Sequence, residues 1–442
     1  MAAGFDDLGK LAFMSIVKAV RGTRDLLPPS TELWNRVEAT ARAIFARYGF
    51  GEIRTPIFEA TELFVRGVGE ETDVVSKEMY TWEDRARAAS EKPQQLTLRP
   101  ENTAGVVRAY IEHKLGETGQ LQKLFYIGPQ FRRERPQRGR YRQFWQIGAE
   151  VIGPQSSGSE SAIRDAEVLE MLGSLLDELG VKGWRLALNS VGSSTDRPRY
   201  VAALKDALEP VKATMCEDCQ RRADTNPLRV LDCKVSEDQA TINALPQIAE
   251  YLDAESTEHF AQVRAALDAC GVAYVVEPRL VRGLDYYTRT TFEFTVPDGS
   301  GLGTQNALLG GGRYDGLSEM LGGPKAPGIG FAIGEDRLIL TLEAQTGEAM
   351  AKKLDAYIAP LNVAQNAAAL ALARELRRGG LSVEVGDGSF RLKKSFEAAD
   401  KVARKVVLLG EDEISSGVFS VKTFATGEQV KMVRAELVDR LK

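Results

Sequence analysis

The sequence predicts an α+β fold: an antiparallel sheet flanked by helices, a helical insertion, and a C-terminal α/β domain. Three observations carry this. Residues 124–152 hold two strand-like runs, LFYIG and FWQIGAEVI, around a charged, glycine-bearing loop, the pattern of a long antiparallel hairpin. Residues 193–250 lose strand signal and become helical and charged, with three of the four cysteines. From residue 354 onward strand and helix patterns alternate at short intervals, as in a compact α/β domain. The expected divisions are a core in two parts, 1–192 and 251–345, a helical insertion at 193–250, and a last domain at 354–442.

Each element has a local reason. TELWNRVEATARAIFARYG (31–49) spaces its apolar residues for a helix and stops at a glycine. EIRTPIFE (52–59) is a short strand broken by Pro56, which suits an edge or an interface. TLRPENTAGVVRAYIEHKL (97–115) reads as a strand end, a turn at Pro100 and a helix. After the hairpin come an amphipathic helix with a terminal glycine, DAEVLEMLGSLLDELG (165–180), and the strand WRLALNSVG (184–192). YVVEPRLVRGLDYYTRTTFEFTV (274–296) returns to strand. ALLGGGRYDGL (307–317) and PGIGFAIGEDRLILTLE (327–343) give strand, glycine turn, strand and helix. In the last domain DAYIAPL, LSVEVG, KVVLLG and VFSVKTF are strands, and NAAALALARELRRGG and SFEAADKVARK are helices.

Composition narrows the function classes. The 442 residues carry a net charge of −5, which argues against a general nucleic-acid coat but leaves room for a local basic patch. No apolar run reaches the roughly 18 residues of a membrane span, and Asp6 and Asp7 spoil a secretory signal. Met14, just before SIVKAVRGTRDLLP, is a candidate alternative start. Cys216, Cys219, Cys233 and Cys270 point to a reducing cytoplasm rather than a disulfide scaffold. His113 and His259 are the only histidines, which leaves no basis for a Ser–His–Asp hydrolase or an HExxH protease. The chemistry must rest on arginines, carboxylates and bound ions.

FRRERPQRGRYRQFWQIGAE (131–150) carries six arginines from Arg132 to Arg142. In a strand over 142–150, alternation puts Arg142, Phe144, Gln146, Gly148 and Glu150 on one face. The other face, with Trp145, Ile147, Ala149 and Val151, should pack on helices. The partner strand adds Tyr126, Gly128, Gln130 and Arg132. Arginine for phosphate, Phe144 for stacking and glycine for close approach suit a polyanion bearing a flat ring; a solvated hairpin is the competing reading. In LTLRPENTAGVVRAY (96–110), Glu101 and Thr103 either hold an ammonium group or cap the helix. LVRGLDYYTRTTFEF (280–294) sets Arg282 and Gly283 before Asp285, Tyr286 and Tyr287, as a ligand loop or an aromatic hairpin entry. GGGRYDGL (310–317) and GIGFAIGEDR (328–337) either leave a slot that Arg337 can close or make tight turns. Cys216-x2-Cys219 with Cys233 outlines a zinc knuckle, but no fourth cysteine or histidine lies at a natural spacing, so no metal ligands are assigned.

Together and in this order, LRPENTAG, FRRERPQRGRYRQFWQIGAE, LVRGLDYYTRT, GGGRYDGL and PGIGFAIGEDRL resemble the histidine–tRNA ligases, a branch of the class II aminoacyl-tRNA synthetases. VRGTRDLLP (20–28) and the α/β C-terminal segment fit too, so the resemblance spans roughly residues 15–442, with RGLDYY its most specific element. It implies a class II antiparallel sheet and an anticodon-binding C-terminal domain. It implies ATP-dependent ligation of L-histidine to the 3′ end of tRNA(His) through a histidyl-adenylate, releasing AMP and diphosphate, with Mg2+ accompanying ATP.

The same resemblance places Arg132 and Arg282 on opposite sides of the α-phosphate, Glu134 on adenine, and Phe144 and Arg337 around its ring. Glu101, Thr103 and Gln146, with Arg132 and Arg282, would hold the histidine amino and carboxylate groups. Glu150 and Tyr287, with Tyr286 nearby, would read the imidazole, and Gly310 to Gly312 would wall the slot. Arg135, Gln137, Arg138 and Arg140 at the hairpin tip would meet the tRNA acceptor end. RLKKSFEAADKVARK (391–405), with six basic and two acidic residues, is either a phosphate-facing patch or a solvated helix face. Pro56 sits where the family places a dimer strand, so a cytoplasmic homodimer is expected, with no membrane partner. Asn102 and Asp336 depart from the common Gly and Glu. The C-terminal domain and an intact RGLDYY argue against a non-catalytic regulatory paralogue. Glu101, Gln146, Glu150 and RGLDYY argue against a class II enzyme for proline, threonine or glycine.

Overall fold

The computed structural model describes residues 16–70, 72–84, 93–284, 286–297, 299–302, 306–346 and 353–442. Met14, the residues before it, and Asp285 of RGLDYY lie outside them. The chain divides into two compact units, residues 1–349 and 350–442.

The first unit is built on an eight-stranded sheet. Its order is Gly51–Glu52, Gln122–Phe131, Gln143–Ile152, Gly328–Gly334, Ala307–Arg313, Thr288–Thr295, Arg185–Ser190, Tyr274–Val276. The outermost pair at each edge is parallel and every interior pair is antiparallel. The hairpin runs unslipped from Gln122 opposite Ile152 to Phe131 opposite Gln143. Register fixes which side chains share a face, because a slip of one residue would turn them all over.

One face is apolar. Phe125, Ile147, Ala149, Val151, Ile329, Phe331, Ile333, Phe292 and Phe294 bury there with the helices Ser30–Arg47, Ala162–Leu179, Ala254–Cys270 and Glu335–Thr346 in a single core. Helix Ala162–Leu179 ends at Gly180, whose φ of 80° is left-handed and cheap only for glycine. A buried ion cluster joins this helix to the sheet. Arg313 Nε donates to Asp165 Oδ1 at 2.9 Å, and His259 Nε2 lies 2.9 Å from Asp165 Oδ2. His259 is therefore spent on structure.

Two stretches differ from the sequence expectation. EIRTPIFE holds two short strands on either side of Pro56; the second, Phe58–Ala60, joins Gln94–Leu98 and Tyr80–Asp84 in a three-stranded sheet. Residues 274–296 are likewise two strands, split by the loop that carries Arg282, Tyr286 and Tyr287. Pro278 and Gly283 interrupt the β pattern there. The stretch 193–250 folds as helices Asp196–Leu208, Glu217–Thr225 and Gln239–Asn243 with short 3-10 turns, and among its described residues there is no strand. Tyr200, Leu204, Leu208, Met215, Leu228, Val230 and Ile242 give it a core of its own.

The second unit has a five-stranded sheet in the order Val383–Val385, Leu354–Pro360, Ala403–Leu409, Val418–Thr423, Gln429–Val433. The first three strands are parallel and the last two antiparallel. Helix Asn366–Arg378 buries Ala369, Leu372, Ala373 and Leu376 against the sheet. The basic stretch 391–405 is only partly available to a ligand. Arg391, Lys393 and Lys394 are exposed, but Arg404 pairs with Asp355 and Lys405 Nζ donates to the Arg440 carbonyl.

Candidate active site

The second face of the large sheet is paved with glycine. Gly148 lies opposite Tyr126, Gly330 opposite Glu150, Gly312 opposite Gly330, and Gly310 opposite Glu293. Each missing side chain makes room for a polar or aromatic one laid across it. A Cβ on Gly310 would sit 2.5 Å from the Arg282 guanidinium carbon, one on Gly312 2.8 Å from the Tyr287 ring, and one on Gly328 2.5 Å from the Tyr314 ring. On Gly330 it would fall inside the Glu150 carboxyl. The glycines therefore serve close approach on a flat strand.

A cavity of about 1100 Å³ opens over one half of this face. Eight basic side chains line it against five carboxylates, an excess of positive charge in a net acidic chain. Arg132 is anchored by its Nε, which donates to the Pro100 carbonyl at 2.9 Å, and its guanidinium lies 5.3 Å from the centre of the Phe144 ring. Arg282 crosses Gly310 to pair with Glu293 at 2.6 Å. Arg337 Nε donates to the Ala307 carbonyl at 2.7 Å, and burial, with Arg140 close by, lowers its pKa. Glu134 lies 3.3 Å from Arg140 and 3.9 Å from Arg132.

The other half is closed and hydrogen-bonded. Glu101 Oε2 and Oε1 accept the Thr103 and Ala104 N–H groups at 2.7 and 3.0 Å, capping helix Thr103–Glu112, and burial raises the Glu101 pKa. Thr103 Oγ1 donates to Glu150 Oε1 at 2.7 Å, and the Tyr314 hydroxyl donates to Glu150 Oε2 at 2.6 Å. The Tyr126 hydroxyl is 3.5 Å away. Glu150 has no exposed surface; burial pushes its carboxyl up to about 8, against the opposing hydrogen bonds from Tyr314 and Thr103. The Tyr286 and Tyr287 rings lie tilted at 54° to each other with centroids 4.7 Å apart, and Tyr286 meets Tyr314 edge-on at 6.0 Å. Gln146 stands where the halves meet. It lines the cavity, is 8% exposed, and its Oε1 has no partner among the described residues.

The expected site residues thus fall into two groups. Arg132, Glu134, Phe144, Gln146, Arg282 and Arg337 line the cavity, while Glu101, Thr103, Glu150, Tyr286 and Tyr287 form the buried cluster. Glu101 makes the helix cap, with its carboxylate on the Thr103 and Ala104 N–H groups. Arg135, Gln137, Arg138 and Arg140 are exposed at the hairpin tip, and Arg140 also lines the cavity beside Glu134. Arg142 Nη1 donates to the Arg21 carbonyl at 3.2 Å and so holds VRGTRD against the hairpin. The departure at Asp336 has a local reason: it takes Arg24 at 2.7 Å and the Trp145 N–H at 2.9 Å. Asn102 accepts from Thr55 Oγ1 at 2.6 Å.

Sequence reasoning missed Tyr314 and the roles of Tyr126 and the insertion. Tyr126 was visible by strand parity with Gln130 and Arg132. Tyr314 follows GGGR, but nothing local says that it lies over Gly328. Arg222, Arg229, Lys234 and Arg279 reach the cavity only through the fold. For magnesium, the five lining carboxylates, Glu134, Asp232, Glu277, Glu293 and Asp336, are hard oxygen donors, Asp336 being paired with Arg24.

Residues 22–338 match the family model described as histidyl-tRNA synthetase, and residues 355–442 match that of an anticodon binding domain. A histidine–tRNA ligase of Koribacter versatilis (strain Ellin345) is 68% identical over 424 residues, covering 96% of this chain and 95% of the relative. One from Solibacter usitatus (strain Ellin6076) is 56% identical over 428 residues, covering 96% and 99%. The crystal structure of apo S. aureus histidyl-tRNA synthetase matches with a TM-score of 0.78 at 37% identity, covering 96% of this chain and all of that one. The glycine-paved face, its arginine-rich cavity and the near full-length matches agree, and the chain belongs to the histidyl-tRNA synthetase family of class II aminoacyl-tRNA ligases.

Proposed function

We propose that this chain activates L-histidine with ATP and passes it to the 3′ end of tRNA(His), with ATP phosphates at the arginine half of the paved face and imidazole at the Glu150 half. The observation that carries the reading is the split of one continuous face into a positively charged cavity and a buried carboxyl cluster, with Gln146 between them.

The chemistry follows from the split. The histidine carboxylate attacks the α-phosphorus and diphosphate leaves, so negative charge builds on the phosphoryl oxygens. Arg132 and Arg282, fixed by Pro100 and Glu293, stabilise that charge without a general base. Phe144 and Arg337 flank the adenine, and Glu134 takes its exocyclic amine. Glu134, Asp232, Glu277 or Glu293 would hold magnesium arriving with ATP, which would neutralise phosphate charge. Gln146 brings an unpaired acceptor to the amino group, aided by Glu101 and Thr103. Glu150, already accepting from Thr103 and Tyr314, accepts the imidazole N–H through a remaining lone pair, with Tyr287 and Tyr286 closing the slot; an apolar rival would forfeit that hydrogen bond. A terminal ribose hydroxyl of the tRNA then attacks the acyl carbon and AMP leaves. Exposed Arg135, Gln137 and Arg138 meet the acceptor strand, with Arg140 reaching inward, and the C-terminal unit reads the anticodon.

A cytoplasmic homodimer completes the reading. Phe58 and Trp82 are 54% and 40% exposed on the three-stranded sheet, with ring centroids 6.1 Å apart, an apolar face suited to a second copy. Among the described residues no helix is long and apolar enough to cross a membrane. The test is ATP–pyrophosphate exchange with each of the twenty amino acids. Histidine alone should support exchange; exchange with none, or with another amino acid, overturns the assignment.

A further inference from the structure

The helical insertion carries a second polar cluster, remote in composition from the paved face. Cys216 precedes helix Glu217–Thr225, Cys219 sits in its first turn, Cys233 follows the turn Pro227–Val230, and Asp238 ends the turn Ser236–Asp238. The three sulfurs and one carboxylate oxygen all lie within 4.8 Å of one another. Cys216 Sγ and Cys233 Sγ are 3.9 Å apart, and Cys233 Sγ is 3.5 Å from Asp238 Oδ2. Two sulfurs each about 2.3 Å from one tetrahedral ion would be about 3.8 Å apart.

We propose that Cys216, Cys219, Cys233 and Asp238 bind one zinc-class divalent ion. The sequence offered three thiols and no fourth cysteine or histidine in reach; the fold brings up an aspartate instead. Packing alone explains buried cysteines, which behave as small hydrophobes. It does not explain why Asp238, which is 3% exposed beside an otherwise apolar core, turns its carboxylate to the three sulfurs, with the Cys216 N–H at 3.2 and 3.3 Å and Cys233 Sγ at 3.5 Å. Three sulfurs and one carboxylate oxygen gathered at this spacing are the donor set of a tetrahedral four-ligand site. The Val235 N–H points at Cys233 Sγ at 3.4 Å, the kind of second-sphere contact that steadies a thiolate ligand.

The ion has a place in the enzyme. The segment between Val230 and Asp238 also carries Asp232 and Lys234 into the cavity wall, and Arg279 ties it to the core through the Leu231 carbonyl at 3.1 Å and Gln239 Oε1 at 3.0 Å. The metal pins the insertion loop against the substrate cavity.

The test uses the full chain, purified reduced and without chelator. It should hold about one zinc per chain. Cobalt should give a thiolate charge-transfer band, lost in Cys219→Ser, weakened in Asp238→Ala, and kept in Asp238→Cys and Cys270→Ser. Histidine-dependent exchange should fall severalfold on zinc removal and return on its addition. Protein grown with added zinc that contains none, and that shows no cobalt band when reduced, overturns the site, as does a Cys216–Cys233 disulfide in the native chain. An exchange rate unmoved by zinc removal overturns the link to the cavity.

Discussion

The two halves of the paved face solve opposite problems with the same backbone. At the arginine half, charges stay part-exposed and each is anchored to the sheet: Arg132 by the Pro100 carbonyl, Arg282 by Glu293, Arg337 by the Ala307 carbonyl. At the Glu150 half, charge is suppressed. The carboxyl is fully buried and its two oxygens are already met by Thr103 and Tyr314. The first half waits for a polyanion whose charge grows during reaction. The second waits for a small ring and discriminates by the hydrogen bond to Glu150 that the wrong one cannot make. The glycines make both possible, since a flat floor takes an arginine at Gly310 as readily as a carboxyl at Gly330.

The largest effect is expected at the arginine half. Arg282→His should lower the rate of histidine-dependent exchange by about 10²–10³-fold, the scale of losing a preorganised group that stabilises developing charge, while ATP affinity changes much less. Equal losses in both would make Arg282 a ground-state binder and erase the contrast. Next is Glu150→Gln, expected to lower kcat/KM for histidine by about 10²-fold, as when a buried hydrogen-bonding group that reads the substrate is altered.

The same variant reads burial through pH. The Glu150 carboxyl moves from 4.5 to about 8 on folding, so its neutral form favours the folded state. That stability is fully present below pH 4.5 and lost as pH rises to about 8. Wild type should therefore lose stability relative to Glu150→Gln across that window, by several kcal/mol at about 1.4 kcal/mol per tenfold change in proton affinity. Parallel melting profiles would place Glu150 in water. A smaller step is Tyr314→Phe, which removes one hydrogen bond to Glu150 and should raise KM for histidine about tenfold with kcat nearly unchanged. The smallest is Arg138→Ala at the exposed tip. Charging of tRNA should weaken severalfold, with a shallower salt dependence, and pyrophosphate exchange should not move.

The same contrast marks how far the sequence could be read. The hairpin, its register parity and the apolar reverse face were legible because alternation is local: Ile147, Ala149 and Val151 are in the core, and Phe144, Gln146 and Glu150 share the site face. The arginines at the hairpin were legible as a group but not one by one. Arg140 turns into the cavity and Arg142 holds the N-terminal segment, choices made by Glu134 and by the Arg21 carbonyl. What stayed hidden came from distant chain segments. Tyr314 reaches Glu150 across 164 residues, Arg313 meets Asp165 across 148, and the insertion supplies cavity residues that no spacing rule connects to the sheet. Asp238 was hidden for another reason: a carboxylate is too common a residue to stand out as a fourth ligand.

The most direct test is a crystal structure with histidinol and ATP, a pair that cannot react because histidinol lacks the carboxylate. The imidazole should lie within hydrogen-bond distance of Glu150, with the α-phosphate between Arg132 and Arg282. An imidazole seated among the arginines, or a triphosphate that avoids either guanidinium, would contradict the division of the face.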